Sequence, residues 1–230
     1  MINIIKFDSI TSTNDWAKEN AADLPLPSLI TADEQTAGRG RLGKKFYSPG
    51  STGLYFSLIF EAESGFDLIT PASAVCVCDA IKKFSGKETG IKWVNDIFLN
   101  GKKVAGILTE RFSSNGRMMT VVGIGVNFTT GDFPEDLPEA GSLGFMPDKT
   151  AFAVNVAESL LSINGNFSRD DILSAYKSRL FIIGKEIEFE INGRRYSGTA
   201  EGINSGCNLI VNTKEGKMIL SSGEISIIMR

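Results

Sequence analysis

The stretch that decides the fold is IKWVNDIFLNGKKVAGILTER, Ile91 to Arg111. Ile91 to Leu99 and Lys103 to Arg111 read as two paired strands. Asn100-Gly101 between them is a strong two-residue hairpin signal, because both positions tolerate the left-handed backbone such a turn needs. A direct hairpin amid helices argues against regular βαβ winding, and no Walker-type phosphate loop is present. Downstream, Met118 to Phe128 is a third apolar strand, with Gly123 and Gly125 inside it, and strand-interior glycines often mark a close approach. Upstream, Leu54 to Phe60 alternates as a strand. Thr70-Pro71 marks a helix start, with the hydroxyl as cap, and that helix should run to about Phe84 and stop near Gly86. Further out lie strands at Ile2 to Phe7 and Leu29 to Asp33, around a helix capped by Ser12 and running to about Ala22. Residues 129 to 147 form a loop rich in proline, glycine and acid. Two more helices follow, at Lys149 to Ile163 and at Arg169 to Leu180, the second capped by Ser168.

From Gly184 the pattern changes to short strands between turns at Asn192-Gly193, Asn204-Ser205-Gly206 and Glu215-Gly216. The reading is therefore α+β, with a central mixed or antiparallel sheet and flanking helices in residues 1–183. A small β-barrel, Src-homology-3-like, is expected in residues 184–230.

The 230 residues carry a net charge of -3 at a sequence pI near 5.2, which argues against a chain built mainly to hold nucleic acid. There are three cysteines and no histidine. A zinc site of cysteine and histidine lacks ligands, and hydrolases of the serine–histidine kind are excluded. Cys76, Cys78 and Cys207 read as small buried hydrophobes of a reduced compartment. The N-terminus is no signal peptide, and no run approaches the ~20 apolar residues of a membrane span, so a cytoplasmic protein is expected.

Three segments can carry chemistry. Gln35-Thr36-Ala37-Gly38-Arg39-Gly40-Arg41-Leu42-Gly43 joins glycines, which let backbone amides approach a ligand, to two arginine forks suited to phosphate. Such a loop has little apolar material to order it. By itself it reads equally as a solvated turn. Lys92-Trp93-Val94-Asn95-Asp96 leads into the hairpin, where Lys103 is followed by Ala105 and Gly106, small residues that leave room for a flat ligand. The plain alternative is a surface hairpin with ordinary lysines. Val121 to Asn127, with its Gly-x-Gly-x-Asn pattern, reads alone as a core strand with packing glycines.

In this order, with Ser12-Thr13-Asn14 upstream, the segments resemble the biotin protein ligase family over nearly the whole chain. The resemblance extends to Gly223-Glu224-Ile225-Ser226 at the end of the C-terminal barrel. It looks like a monofunctional type, since the match begins almost at Met1 and leaves no room for a DNA-binding domain.

The resemblance implies a catalytic domain over 1–183 that joins biotin to the α-phosphate of ATP, releases pyrophosphate, and passes biotin to a lysine of a biotin carboxyl carrier domain. Lys103, Arg41 and Asp96 would be catalytic: Lys103 would offset repulsion between carboxylate and phosphate, Arg41 would hold ATP phosphate, and Asp96 would sit near Mg²⁺ or the reacting groups. Ser12, Thr13, Gln35, Gly38, Arg39, Gly106, Ile107, Leu108, Gly123 and Ile124 would bind biotin, with Arg39 also closing over the intermediate. Arg39, Arg41, Phe46, Asn95, Lys103 and Asn127 would bind ATP, with Phe46 covering and Asn127 touching adenine. Mg²⁺ would arrive mainly on the ATP phosphates, with no dedicated metal site. Two positions depart from the family: it usually has proline at Val94 and often tryptophan at Phe46. Lipoate ligases and octanoyltransferases are the neighbouring alternative, and a non-catalytic biotin sensor is the alternative from another class. No nucleic acid or membrane partner is expected, and a homodimer through an exposed sheet edge stays open.

Overall fold

The computed structural model describes residues 1–62, 67–166, 168–191, 193–221, 223 and 225–227. Two predicted features, Asn192 of one turn and Glu224, lie outside the described residues.

The first sheet has seven strands: β1 (Asn3–Ile10), β2 (Ser28–Gln35), β3 (Gly53–Glu61), β4 (Gly90–Lys92), β5 (Asp96–Leu99), β6 (Lys102–Ser114) and β7 (Arg117–Asn127). Their order is β1-β2-β3-β7-β6-β5-β4, and only β1 and β2 run parallel. The mixed sheet and α+β class are as expected. Asn100 and Gly101 take φ 50° and 76°, the left-handed pair that the tight turn requires. The expected single strand from Ile91 to Leu99 is instead two strands, β4 and β5, folded on each other with Lys92 opposite Asp96. That reversal lifts Trp93, Val94 and Asn95 out of the ladder.

Strand parity divides the sheet into two faces. On β7, Val122, Ile124 and Val126 join the main core with Leu58 and Phe60 of β3. Helices α2 (Ile69–Ser85) and α3 (Lys149–Gly165) cover that face, and α4 (Arg169–Lys177) packs on α2. The interior strand β3 is buried at every position but its last, which explains its continuous apolar run. The opposite face receives α1 (Thr13–Glu19), whose Ala17 packs with Ala21, Ile30, Ile59, Met119 and Val121. This short helix covers only part of the face. Past Val121 the same parity brings Gly123, Gly125 and Asn127, and the face opens into a cleft.

Cap chemistry agrees with expectation at α1 and α4, where Ser12 and Ser168 Oγ accept from the amides of Asp15 and Asp171. At α2 it differs: the helix begins at Ile69, and its N-cap Leu68 supplies no side-chain bond. Pro71 therefore stands third in the helix, where its missing N–H costs nothing because first-turn amides have no intrahelical partner. Gly86 closes the helix at φ 70°. No helix among the described residues is long and apolar enough to cross a membrane.

The second sheet is antiparallel: β8 (Glu186–Ile191), β9 (Arg194–Ile203), β10 (Leu209–Thr213), β11 (Gly216–Leu220) and β12 (Ile225–Ile227), in the order β11-β10-β9-β8-β12. Ile187, Phe189, Leu209, Val211 and Ile225 belong to the same apolar core as the first sheet. Trp93 Nε1 donates to Cys207 O at 2.8 Å across this junction. The β4–β5 reversal thus ties the second sheet to the edge of the first.

Candidate functional site

The open face holds a cleft of about 400 Å³, large enough for a small organic ligand. One end is polar and lies over β3 and β7. Thr13 donates through both N and Oγ1 to Gln35 Oε1, at 2.9 and 3.1 Å. Ser57 Oγ lies 2.7 Å from Thr13 Oγ1 and donates to Asn14 Oδ1 at 2.6 Å. Asn14 stands directly over Gly123, where a Cβ would fall well under 3.0 Å from its amide oxygen. Glycine there makes room for the asparagine.

At the middle of the cleft the floor is Gly106 of β6 beside Gly125 of β7, directly paired. The Phe46 ring lies on both, so a Cβ on Gly125 would collide with the ring and one on Gly106 would reach it at 3.0 Å. Tyr55 of β3, opposite Gly125, meets Phe46 edge-on at 6.3 Å between centroids. Phe46 follows the Gly/Arg segment, and residues 38 to 46 form a strap over the cleft. Its backbone closes on itself through Phe46 N to Gly38 O (2.9 Å) and Gly40 N to Lys44 O (2.7 Å).

The charged end gathers Lys103, Asp96, Arg41 and Asn95. Lys103 Nζ stands 2.7 Å from Asp96 Oδ1 and 6.0 Å from the Phe46 centroid. The Asp96 oxygen is buried with no aligned hydrogen bond among the described residues, so the contact is an ion pair. Arg41 Nη1 donates to Asn95 Oδ1 at 3.3 Å, and no carboxylate among the described residues pairs with it. Asn95 is fixed in turn by Nδ2 to Ile107 O at 2.8 Å. Lys44, Lys45 and Lys92 also reach the cleft wall. An arginine fork and a lysine beside one carboxylate form a socket biased toward anions.

Glu110, beyond the polar end, is held below the usual carboxylate range. Burial alone pushes its acidity the other way, but bonds from Lys18, Asn14 and Arg39 outweigh that push. Burial dominates at the cysteines and pushes the Cys76, Cys78 and Cys207 thiols up, to about 12, 11 and 12, with smaller contributions from neighbouring charges.

Of the residues expected from sequence, Ser12, Thr13, Gln35, Arg39, Arg41, Phe46, Asn95, Asp96, Lys103, Gly106, Ile107, Leu108, Gly123 and Ile124 border this one cleft. Ile107 and Ile124 do so from the backbone. Their parity is opposite to Gly106 and Leu108, and their side chains sit in the core at 2% and 3% exposure. Gly38 is off the wall, buried against Phe46 O and Ser48 Oγ. Asn127 lines a smaller adjoining hollow of about 70 Å³ with Phe46, Lys103 and Ala140. Its Nδ2 donates to Gly141 O at 3.1 Å, while its buried Oδ1 has no hydrogen-bond partner among the described residues.

Sequence reading missed Asn14, Lys92, Trp93 and Gly125, all on the wall, along with a segment at Asp136–Ala140 and Gly223, Ile225 and Ser226 of the C-terminal part. Gly125 carried a signal, the two-residue period from Gly123. Asn14 adjoins the expected Thr13, and Lys92 and Trp93 stand in the same block as Asn95 and Asp96; the Asp136–Ala140 segment and the C-terminal residues arrive by chain reversals that local sequence does not announce.

Comparison with known proteins places this geometry. A model of the Biotin/lipoate A/B protein ligase family matches residues 4–127, and one of the Biotin protein ligase C terminal domain matches residues 182–227. The chain is 32% identical to the bifunctional ligase/repressor BirA of Bacillus subtilis, over 98% of this chain and 74% of that protein. It is 30% identical to the biotin–[acetyl-CoA-carboxylase] ligase of Paracoccus denitrificans, over 93% and 96% of the two chains. The solved biotin protein ligase of Aquifex aeolicus in complex with biotin and ATP superposes with a TM-score of 0.82 at 26% identity, over 99% of both chains. The first model spans more than half of the sequence and relatives of 30% identity or more align along most of their length, so the chain belongs to the biotin/lipoate A/B protein ligase family, among its biotin protein ligases.

Proposed function

We propose that this chain is an ATP-dependent biotin protein ligase acting on a biotin-dependent carboxylase. One observation carries the reading: a single cleft has a polar end at Thr13 and Gln35, a glycine floor under an aromatic ring, and a cationic socket at Arg41 and Lys103.

Biotin would lie with its ureido group at the polar end, where Ser12, Thr13 and Gln35 offer donors and acceptors. Its valeryl chain would follow Gly106 and Leu108 toward Lys103. A carboxylate oxygen then attacks the α-phosphorus of ATP, the bond to the β-phosphate oxygen breaks, and pyrophosphate leaves. Both reactants are anions. Lys103 and Arg41 offset their repulsion and the charge that builds on phosphate oxygens. Asp96 holds the Lys103 ammonium in place. In the second step a carrier lysine amine attacks the acyl carbon and AMP leaves. With no histidine in the chain, the lysine proton passes to a carboxylate, a phosphate oxygen or water.

Adenine would approach the hollow beside Asn127, whose Oδ1, without a hydrogen-bond partner among the described residues, matches an exocyclic amine, with Phe46 as its aromatic neighbour. Mg²⁺ would enter on the ATP phosphates and supply charge neutralisation there, with Asp96 the carboxylate at the junction. We read residues 184–230 as a second unit, a small Src-homology-3-like barrel, that walls the cleft through Gly223, Ile225 and Ser226.

Attachment of lipoate or octanoate is not favoured: the relatives above are named for biotin, and the C-terminal match is to the biotin protein ligases. Incubation with Mg-ATP and each acid, followed by mass analysis, decides the matter. Biotinyl-adenylate with one pyrophosphate released per turnover is expected. Lipoyl-adenylate alone would overturn the substrate, and absence of pyrophosphate with biotin would turn the chain into a binding protein.

A further inference from the structure

Arg39 and Arg41 stand two residues apart on the strap yet fasten to opposite banks of the cleft. Arg41 reaches Asn95 beside the charged end. Arg39 turns the other way: its Nη2 lies 2.7 Å from Glu110 Oε2 on β6 and 2.7 Å from Asp15 Oδ1 on α1. The strap is also seated by the Phe46 ring on Gly106 and Gly125. Its backbone bonds are internal, and Leu42 at the tip is 68% exposed.

Glu110 is itself tightly placed. Its Oε1 accepts from Lys18 Nζ at 2.8 Å, and its Oε2 also accepts from Asn14 Nδ2 at 2.8 Å. Asn14 is buried over Gly123 and accepts from Ser57. The carboxylate that grips the strap is thus bonded to the side chain that roofs the polar end. Parity puts Glu110 on the cleft face, two residues beyond Leu108.

We infer that Glu110, assisted by Asp15, is the latch of the strap: a positioning residue that fastens Arg39 and keeps the acyl-adenylate enclosed between the two half-reactions. Asn14 orients the latch from inside the biotin end. The inference rests on the ligase reading above. It assigns the residues on the body that receive Arg39, and it predicts a defect in retention rather than in bond formation.

The test loads the whole enzyme with labelled biotin and Mg-ATP, removes excess reagents, adds unlabelled biotin, and follows label leaving the protein. Glu110→Gln should release biotinyl-adenylate about tenfold faster, while pyrophosphate formation at saturating substrates slows less than about threefold. Arg39→Gly with Glu110→Gln should release no faster than Arg39→Gly alone, because both break one contact. Unchanged release in Glu110→Gln, or additive effects in the double variant, overturns the latch. Should Glu110→Gln fail to fold, Asp15→Asn, on the surface of α1, serves alone. About threefold faster release is then expected, and a wild-type rate overturns the inference. If wild type makes no adenylate, the ligase reading falls and the latch with it; normal adenylation with wild-type retention sinks the latch only.

Discussion

Replacing Lys103 and Lys102 in turn by alanine sets a reacting cation against its chain neighbour. The two lysines lie on opposite sides of β6. Lys102 pairs with Leu99, is exposed, and donates from Nζ to Pro138 O at 2.7 Å. Lys103 pairs with Phe98 and turns its amine to Asp96 inside the cleft. A unit charge roughly 4 Å from another at an effective dielectric near 20 gains about 4 kcal/mol. Lys103 keeps 32% side-chain exposure and shares its charge with Asp96, so about two thirds of that is expected to act on the transition state. The remaining ~2.7 kcal/mol corresponds to about a 100-fold fall in kcat for adenylation. Lys102→Ala should stay within about twofold. The assay is pyrophosphate release at saturating biotin and Mg-ATP, with KM determined for each substrate. Lys103→Ala also leaves the buried Asp96 oxygen without its cation, a loss of about 1–3 kcal/mol in stability, so rates are taken well below its melting temperature. The Lys103→Ala, Asp96→Asn pair recovers part of that stability without recovering rate. Equal losses in the two lysine variants, or a loss under about threefold in a folded Lys103→Ala, would refute the reasoning.

Gly125→Ala places a methyl where the Phe46 ring lies, and the ring, on a strap rather than in the core, yields. The melting temperature should hold within a few degrees while KM for ATP rises about tenfold; an unchanged KM would contradict the stacking role of Phe46. With their thiols pushed up to about 12, 11 and 12 by burial, Cys76, Cys78 and Cys207 should resist iodoacetamide at pH 8 in the folded chain and all react in urea. Mass counting of adducts checks this, and rapid labelling of any one in native protein would contradict its burial. Because the folded Glu110 carboxyl is a stronger acid than in the unfolded chain, the stability it adds is present above pH ~4.3 and fades as pH falls through its lower folded value. The gap in melting temperature between wild type and Glu110→Gln should therefore be widest near neutrality and close in acid; a gap independent of pH would assign it to packing instead.

Local chemistry was legible in the sequence, and long-range reversal was not. Asn100-Gly101 announced its turn because two adjacent positive φ values admit few residue pairs. Ser12 and Ser168 announced their helices because an amide three residues on needs an acceptor. The β4–β5 reversal went unread because Trp93 continues an apolar run, and nothing nearby shows that its indole is needed by Cys207, 114 residues away. Ile107 and Ile124 adjoin cleft residues in the sequence, but the two-residue period of a strand turns their side chains to the other face. The strap was recognisable by composition, but its receiver was not. Arg39 meets Glu110 across 71 residues, and Asn14 meets it across 96. The same holds for the acidic segment near Glu139, which reaches the site by pairing with Lys103 and Lys92.

The arrangement explains how one sheet serves both packing and chemistry. On β7 the residues Val122, Ile124 and Val126 anchor the helices, while Gly123, Gly125 and Asn127 form the wall and floor of the site. Removing side chains from alternate positions exposes backbone toward the ligand without opening a void in the core, because the two faces share no atoms beyond the strand itself. Asn14 and Phe46 then occupy the space above the glycines, and both come from segments outside the sheet. A substitution on the even positions of β7 should therefore register as stability, and one on the odd positions past Val121 as affinity or retention. The latch obeys the same rule on β6. Glu110 continues the parity of Gly106 and Leu108, so the strand that supplies the floor of the cleft also supplies the carboxylate that closes it.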